Sequence, residues 1–287
     1  MKEIKIKSLK DTHLDVICEA FNQAFANYEV QINKVQLQTM LKRRGFDPEL
    51  SFAAFDGHKI VAFTLNGIGD FKGIRTAYDT GTGTLQEYRG QGLATQVFEY
   101  SIPFLREAGI KQYLLEVLQH NTQAVSVYRN LGFEVTREFY YSMQTNENIS
   151  YYLIKEFDTL YSVKPISIDQ LDLFTEFCDF IPSWQNSFDS IQRVANDFIY
   201  LGVFTKERVV GYCVFEPISG DVTQIAVDRE YRRKGIASLL LKEILNLNKN
   251  SILKIVNTDV TCDSITNFIK AKNIEVKGKQ FEMIRKI

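Results

Sequence analysis

A short segment containing two glycines is the first part of the sequence whose residue types suggest chemistry. Tyr88–Ala94 (YRGQGLA) lies between a strand-like run and an amphipathic stretch with helical spacing. Gly90 and Gly92 remove side chains where the helix begins, so backbone N–H groups can face a ligand. The positive end of the helix dipole favours a diphosphate, and Arg89 adds a charged donor. Taken alone, the segment is equally typical of a tight turn used for packing.

The same turn occurs a second time, as Tyr231–Ala237 (YRRKGIA), again between a predicted strand and a predicted helix. The neighbouring elements follow in the same order in both halves, and KSLKDTHLD aligns with KPISIDQLD. Two equivalent copies favour ligand binding over packing as the reason for the turn. The sequence therefore predicts an internal duplication.

A second group of residues follows the first turn along the chain. Four of them recur at intervals of three and four and so share one face of a predicted helix, namely Asn121, Ala124, Tyr128 and Leu131. The strand Leu115-Glu116-Val117 precedes this helix. From the residue pattern alone, a tyrosine here is a core aromatic with a hydrogen-bonded hydroxyl.

Together these motifs resemble the GNAT N-acetyltransferase superfamily. Its acetyl-CoA loop has the pattern Arg/Gln-x-x-Gly-x-Gly/Ala, which Arg89-x-x-Gly92-x-Ala94 and Arg232-x-x-Gly235-x-Ala237 both fit. A dinucleotide-binding fold is not indicated, because GxGxxG with its following acidic residue is missing. The resemblance covers essentially the whole chain. It implies an α/β fold of two tandem copies, each with a mixed, mostly antiparallel sheet flanked by helices.

The resemblance also implies an activity, which is transfer of an acetyl group from acetyl-CoA to a primary amine by direct attack on the thioester, without a metal. In the family an asparagine contacts the CoA arm and a tyrosine hydroxyl protonates the departing thiolate, and Asn121 and Tyr128 match those positions. A backbone N–H before the loop can hold the thioester oxygen. The residues expected to bind acetyl-CoA are Thr84, Leu85, Gln86, Arg89, Gly90, Gln91, Gly92, Leu93, Ala94 and Asn121 in the first copy, and Ala226, Val227, Arg232, Arg233, Lys234, Gly235, Ile236 and Ala237 in the second.

Two carboxylates are candidates for the base that takes a proton from the amine. Glu116 matches a strand position where a glutamate can act as base in protein N-terminal acetyltransferases of the family. Asp79 lies on the preceding predicted strand and is the alternative, and His120 is a weaker candidate. The catalytic residues expected are therefore Tyr128 with Glu116 or Asp79.

The strand that carries Asp79 departs from the family pattern. Asp79–Thr84 (DTGTGT) has glycines where larger apolar residues are usual. Glycine in a strand marks a bulge or a close approach of other groups. One interpretation is room for a cofactor arm or substrate, and the other is an irregular strand without a ligand.

The second copy retains its loop but has lost the polar groups. An alignment through the last strands puts Ile269 opposite Tyr128, Cys262 opposite Asn121 and Asn257 opposite Glu116. Ile269 cannot donate a proton. The first copy is therefore expected to be catalytic and the second to be degenerate, either binding CoA or serving only as structure.

Length agrees with two copies, because 287 residues suggest two domains at roughly 150 residues each. The expected boundaries are 1–146 and 147–287, with Gln144–Ser150 as the linker. Each copy is expected to close with a pair of strands, at Phe133–Met143 and at Ile274–Val276 with Gln280–Ile284.

Composition excludes several classes of protein. The hydrophobic content of 45% provides a core, and no apolar run approaches the roughly 20 residues of a membrane span. A net charge of −1 argues against nucleic-acid binding. Four scattered cysteines and three histidines form no metal pattern. With no secretion signal in the sequence, a cytoplasmic protein is expected.

The acceptor is left open beyond a small-molecule or peptide amine, and so is the oligomeric state. In this fold Asn27–Gly45 and Pro182–Asp197 would line the acceptor cleft, and Trp184 is a binding platform or a packed aromatic. The contrasting hypotheses are a non-catalytic acyl-CoA sensor or scaffold, and transfer of another acyl group.

Overall fold

The structure is a computed structural model, and it describes residues 4–26, 32–150 and 160–287. The chain divides into two compact units. Unit 1 holds Met1–Thr136 together with Phe281–Ile287, and unit 2 holds Arg137–Gln280. Within the described ranges, no helix is long and apolar enough to cross a membrane.

Unit 1 is a sheet flanked by four helices. Its strands are β1 (Ile4–Ser8), β2 (Phe52–Asp56), β3 (Lys59–Phe71), β4 (Ile74–Thr84) and β5 (Gln112–Leu118). Its helices are α1 (Leu14–Ala24), α2 (Lys34–Arg44), α3 (Leu93–Glu107) and α4 (Thr122–Asn130). Neighbouring strands are antiparallel from β1 to β4, whereas β4 and β5 are parallel. The mixed, mostly antiparallel sheet predicted for this half is confirmed.

Unit 2 repeats this order. The strands are β6 (Glu134–Thr145), β7 (Ser162–Pro165), β8 (Ile199–Thr205), β9 (Arg208–Glu216), β10 (Asp221–Val227), β11 (Ile252–Asp259) and β12 (Glu275–Lys286). The helices are α5 (Phe188–Gln192), α6 (Ile236–Leu247) and α7 (Asp263–Ala271), with a 3-10 helix at Ile168–Phe177. Here β10 and β11 form the parallel pair. β6 and β12 each change unit part-way, so that Phe139–Thr145 of β6 pairs with β11 in unit 2, whereas the end of β12 belongs to unit 1, beside β5.

The closing strands differ from the prediction, since β6 and β12 are each one long strand rather than a pair. The residues of β6 include no Gly, Pro, Asn or Asp that would favour reversal of the chain. In β12, Gly278 lies within the strand and does not form a turn. Its missing side chain leaves room for the Tyr141 ring, since a Cβ there would lie 2.7 Å from that side chain.

The unit boundaries also differ from the predicted boundary at residue 146. Gln144 and Thr145 still belong to β6, and the predicted linker packs onto unit 2, where Ile149 is buried in the core. Its polar residues bond to that unit, because Asn146 N–H donates to the Ser251 carbonyl and Ser150 N–H to the Lys272 carbonyl.

Each parallel strand pair opens at one end. In unit 1 the register covers Thr76–Tyr78 against Gln112–Leu114. Beyond it, Asp79–Thr84 and Leu115–Leu118 are no longer paired with each other, and we call this region fork 1. In unit 2 the register covers Asp221 against Lys254, and Val222–Val227 with Ile255–Asp259 form fork 2. At each fork the two strands no longer bond to each other, so side chains or a ligand can lie between them.

Candidate active site

A β-bulge sets the position of Asp79 at fork 1. Asp79 pairs with Asn66 and Gly81 with Leu65, so Thr80 is an extra residue in β4. The Thr80 hydroxyl donates to the Leu65 carbonyl at 2.9 Å, and the Gly81 N–H donates to Asp79 Oδ1 at 2.9 Å. These bonds hold the carboxylate where the strands part.

Tyr128 and Asp79 are brought together, although they come from α4 and β4. The Tyr128 hydroxyl donates to Asp79 Oδ2 at 3.0 Å. The Tyr128 ring packs edge-on against Phe133, which fixes the side of α4 that faces the sheet. Burial raises the pKa of Asp79 above its ordinary value, and hydrogen bonds from Thr82, Tyr128 and the Gly81 N–H oppose that rise. A carboxyl that resists ionisation is therefore bonded directly to the candidate acid.

Glu116, the other candidate base, lies on the opposite face of the sheet. Paired residues of parallel strands share a face and successive residues alternate, so Asp79 lies on the face of Tyr113 and Glu116 on the face of Tyr78. The Tyr78 hydroxyl donates to Glu116 Oε2 at 3.1 Å. Tyr78 is buried, and burial beside this carboxylate raises its pKa well above that of a free phenol. Each carboxylate at fork 1 thus has its own tyrosine.

Gly81 and Gly83 have a packing role, which corrects the interpretation that they leave room for a ligand. A Cβ at Gly81 would lie 3.0 Å from the Phe21 ring of α1. A Cβ at Gly83 would lie 2.7 Å from the Phe63 ring and 2.9 Å from Ala24. The missing side chains therefore let α1 pack closely on β4.

The first loop has the backbone that the motif predicts. Gly90 and Gly92 have φ of 77° and 72°, and α3 begins immediately after Gly92 without a side-chain cap. Space around Gly90 is open, since a Cβ there would meet no atom within 4 Å. The first N–H groups of α3 are available to an anion in this open space.

Arg89 supports the loop rather than extending towards a ligand. Its Nε donates to the Thr84 carbonyl at 3.2 Å and its Nη2 to the Ala24 carbonyl at 2.8 Å. A backbone N–H of the stretch Thr84–Gln86 was expected to bind the thioester oxygen. The Leu85 N–H donates to the Val61 carbonyl instead, so it is not available for that role. The remaining predicted residues divide into those that are buried or partly buried, which are Thr84, Leu93, Ala94 and Asn121, and those that are exposed, which are Gln86 and Gln91.

Asn121 has a structural contact at the start of α4. Its Oδ1 accepts from the Ala124 N–H at 3.2 Å, which caps the helix. His120, the weaker candidate base, is exposed beside it. Asn121 thus holds in place the helix that carries Tyr128.

The second loop repeats the arrangement of the first. Arg232 Nε donates to the Val227 carbonyl at 3.0 Å and Nη2 to the Phe177 carbonyl at 3.1 Å, and Nη1 pairs with Asp179 at 2.9 Å. Gly235 has φ of 80° and precedes α6. Arg233 stands where the first loop has Gly90 and keeps the same left-handed backbone, with φ of 62°.

Both halves match one family model, the acetyltransferase (GNAT) family, at residues 15–133 and 165–263. Over 87 residues the chain is 31% identical to N-alpha-acetyltransferase 30 of Schizosaccharomyces pombe, a match that covers 30% of this chain and 58% of the relative. The chain spans between 37% and 58% of the length of the curated relatives it matches.

Two solved structures cover nearly the whole chain. A tandem GNAT protein from the clavulanic acid biosynthesis pathway superposes with a TM-score of 0.74 at 12% identity, covering 99% of this chain and 98% of that one. A GCN5-related N-acetyltransferase from Sphaerobacter thermophilus superposes with a TM-score of 0.73 at 12% identity, covering 99% and 95%. The chain belongs to the GNAT acetyltransferase family.

The two GNAT copies can be compared residue by residue at their forks. Thr223 is the extra residue of a bulge in β10, as Thr80 is in β4. On that register Val222 replaces Asp79. A further bulge makes Asn257 an extra residue of β11, so Val256 takes the place of Glu116, and the predicted match with Asn257 was wrong by one residue. Ile269 replaces Tyr128, since each is the seventh residue of its helix.

A cavity of about 460 Å³ runs through the second GNAT copy. It extends from the loop at Arg233 and Ala237, along fork 2 at Val222 and Val256, to Phe268 of α7. Its outer end meets the start of α6 and its inner part lies between the open strands. Its position fits an elongated ligand with an anionic group at the helix, as CoA has. In the described ranges no group of three His, Cys, Asp or Glu is placed to bind a metal.

Sequence reasoning missed several residues that shape these sites. Tyr78 and Tyr113 are buried beside the candidate bases, and Tyr113 donates to Asn66. Their aromatic type in a strand looks like ordinary core, so no local signal identified them. Trp184 is buried, which supports a packed aromatic over a binding platform.

Proposed function

We propose that unit 1 transfers an acetyl group from acetyl-CoA to a primary amine, and that unit 2 binds a CoA thioester without catalysing transfer. The observation that carries the proposal is the hydrogen bond between Tyr128 and Asp79 at fork 1, in a unit that also has the glycine loop. Unit 2 retains the loop and has Val222, Val256 and Ile269 in place of the ionisable groups.

The loop of unit 1 binds the diphosphate through backbone N–H groups at the start of α3. Gly90 and Gly92 leave these groups uncovered, and Arg89 holds the loop on β4. Bound acetyl-CoA supplies the activated acyl group as a thioester. The parts of β4 and β5 that no longer pair with each other orient that group through backbone groups at fork 1.

Asp79 and Tyr128 act together as the acid. When Asp79 is protonated, its hydroxyl donates to the Tyr128 oxygen, which frees the phenolic proton to pass to the leaving sulfur. Asp79 then returns a proton to Tyr128 and is reprotonated by water. The raised pKa of Asp79 favours this protonated form.

Glu116 acts as the base. It lies on the face of the sheet opposite Asp79, so the proton taken from the amine and the proton given to sulfur travel by separate routes. Tyr78 orients the carboxylate through Oε2. The proton that Glu116 accepts from the attacking nitrogen passes to water, so one proton is released and one is consumed in each turnover.

The acceptor class is supported by a relative's name. The Schizosaccharomyces pombe relative is an N-alpha-acetyltransferase, which favours an α-amine of a peptide as the acceptor. We therefore propose peptide amines first and small-molecule amines second.

The proposal is tested with matched charge substitutions at the two loops. Ala94→Asp and Ala237→Asp each put a carboxylate at a helix N-terminus, where it repels a diphosphate and does not disturb the helix. Calorimetry should find two CoA sites in the unaltered chain, one site in each single variant and none in the double variant. Acetylation of an amine panel, followed by release of free thiol, should fall far more with Ala94→Asp than with Ala237→Asp. A larger loss with Ala237→Asp would assign catalysis to unit 2, and CoA binding without turnover on any amine would favour a sensor.

A further inference from the structure

A mostly buried segment of unit 2, Pro182–Asn186, contributes to the wall of the cavity at fork 2, and we call it the plug. Ser183, Trp184 and Asn186 of the plug are all buried. Pro182 and Asn186 line the cavity, so the plug forms its inner wall.

Asn186 bridges the two open strands of fork 2. Its backbone carbonyl accepts from Gln224 Nε2 of β10 at 2.6 Å, and its own Nδ2 donates to the Val256 carbonyl of β11 at 2.8 Å. Both partners lie two or three residues beyond the last paired position. The bridge therefore crosses the gap where fork 1 has its candidate acid and base.

Further contacts hold the plug in place. The bulge residue Asn257 donates from Nδ2 to the Ser183 hydroxyl at 2.9 Å, and its Oδ1 accepts from Gln280. The Trp184 carbonyl accepts from the hydroxyls of Ser187 and Ser190. Breaking one of these bonds leaves a buried polar group without a partner, which costs free energy. Because the plug has several such bonds, all of them must be lost before it can open.

On the bulge register Gly81 of unit 1 stands where unit 2 has Gln224, so this position of β4 offers no side-chain donor for such a bridge. The difference between the copies therefore extends beyond the catalytic residues. In unit 2 the groups that would move protons are replaced by apolar ones, and the two open strands are joined through Asn186 as well.

We propose that the plug closes the acceptor side of fork 2, so that unit 2 binds short-chain CoA thioesters and holds them unreacted. The inference rests on the proposed function for the identity of the ligand. It adds that this site is shielded from amines and water, and that it selects acyl groups short enough to stop at the plug.

Trp184 makes the inference measurable, because it is the only tryptophan in the chain and lies within the plug. The full chain with Ala94→Asp, which removes binding at unit 1, is titrated with S-ethyl-CoA, a thioether that cannot transfer its chain. We expect binding of one equivalent while acrylamide quenching of Trp184 stays at the low level of a buried indole. A rise in quenching on binding would overturn the proposal, because the plug would then leave the site.

Chain-length selectivity gives a second test in the same background. S-dodecyl-CoA should bind at least about tenfold more weakly than S-ethyl-CoA, a free-energy difference of about 1.4 kcal/mol. Asn186→Ala removes the donor to the Val256 carbonyl and should reduce this difference while raising the quenching of Trp184. Asn246→Ala, at an exposed residue of α6 that does not line the cavity, is the matched control and should leave the selectivity unchanged. Equal affinity for the two thioethers before any change at Asn186 would contradict the proposal.

The two proposals fail separately. If no amine is acetylated by the unaltered chain, the proposed function fails whatever Trp184 reports. If S-ethyl-CoA does not bind to the Ala94→Asp chain, the plug proposal fails while turnover by unit 1 is measured independently. If Asn186→Ala does not fold, Gln224→Leu removes the other half of the bridge, and the titration of the Ala94→Asp chain still decides the outcome.

Discussion

At the scale of single residues, the pairing of each carboxylate with a tyrosine at fork 1 has the most direct chemical consequence. Tyr128 bonds to Asp79 and Tyr78 bonds to Glu116. A carboxylate bonded to the candidate acid controls when the phenolic proton is available. A carboxylate on the opposite face can take a proton without competing for the same hydrogen bond.

Tyr128→Phe removes the proposed acid and leaves the ring contact with Phe133 in place. We expect kcat to fall by roughly 10²–10⁴-fold, the usual effect of losing a general acid, with little change in KM for acetyl-CoA. Steady-state kinetics that monitor free thiol provide the measurement. Tyr100→Phe, at an exposed tyrosine of α3, is the control. Equal effects of the two substitutions would exclude Tyr128 as the acid.

Asp79→Asn distinguishes between two roles of Asp79. In one it returns a proton to Tyr128, and in the other it is the base that takes a proton from the amine. An amide can donate to the Tyr128 oxygen as a protonated carboxyl does, so the loss in kcat should be smaller than that caused by Tyr128→Phe and by Asp79→Ala. The decline of activity at high pH that reflects ionisation of Asp79 should disappear. If Asp79 is instead the base, Asp79→Asn will abolish turnover at every pH.

Asp79→Asn should also change the stability of the folded protein, in a way that depends on pH. Because the folded pKa of Asp79 is raised, the folded state favours the protonated form, and stability falls as pH rises from the ordinary pKa of about 4 through the raised value. Asp79→Asn should therefore stabilise the protein at neutral pH and lose that advantage below about pH 4. Thermal unfolding across pH tests this, and a destabilised variant at pH 7 would contradict it.

At the scale of elements, the contact of α1 with β4 determines how fork 1 is covered. Gly81 and Gly83 let Phe21, Phe63 and Ala24 approach the strand. The same close approach brings the Ala24 carbonyl within reach of Arg89. The small residues in β4 thus position the glycine loop indirectly. They let α1 pack closely on the strand, and α1 in turn accepts the hydrogen bond from Arg89.

Gly83→Ala places a methyl group in this contact and should lower the free energy of unfolding by about 1–3 kcal/mol. The Phe63 ring is the nearest obstacle, at 2.7 Å from the added atom. Adding Phe63→Leu should recover part of the loss, which denaturant unfolding of both variants would measure. Additive losses would show that Phe63 is not the cause.

At the scale of the whole molecule, residues distant in sequence complete each unit. Met283 is fully buried in a core of unit 1 that also contains Tyr113, Val117 and Phe133. The Ile287 N–H donates to the Lys111 carbonyl beside β5. Unit 1 therefore depends on residues that follow the whole of unit 2 in the chain.

Met283→Ala tests that dependence, because removing a buried side chain of this size costs about 2–5 kcal/mol. We expect weaker stability of unit 1 and lower turnover, with no change in the emission of Trp184 in unit 2. Leu247→Ala, at an exposed position on α6, is the control. If Met283→Ala alters Trp184 emission and leaves turnover intact, Met283 does not serve unit 1.

Much of the fold and part of the site could be predicted from the sequence. Both loops, the duplication and the helix carrying Tyr128 depend on local spacing, because backbone preferences and side-chain periodicity act over a few residues. The replacement of Tyr128 by Ile269 was likewise visible in the alignment.

Other features required the tertiary structure. The contact of Tyr128 with Asp79, the bulges that realign Val256 with Glu116, and the bridge from Gln224 through Asn186 to Val256 each join separate elements. The exchange of β6 and β12 between units has the same origin, since strand partners are chosen by distant backbone groups and by the core they close. Spacing along the chain predicted a glycine loop in each copy, a tyrosine in the first copy and the loss of that tyrosine in the second. Packing between distant segments determined which fork brings a tyrosine to a carboxylate, and which one is bridged by Asn186.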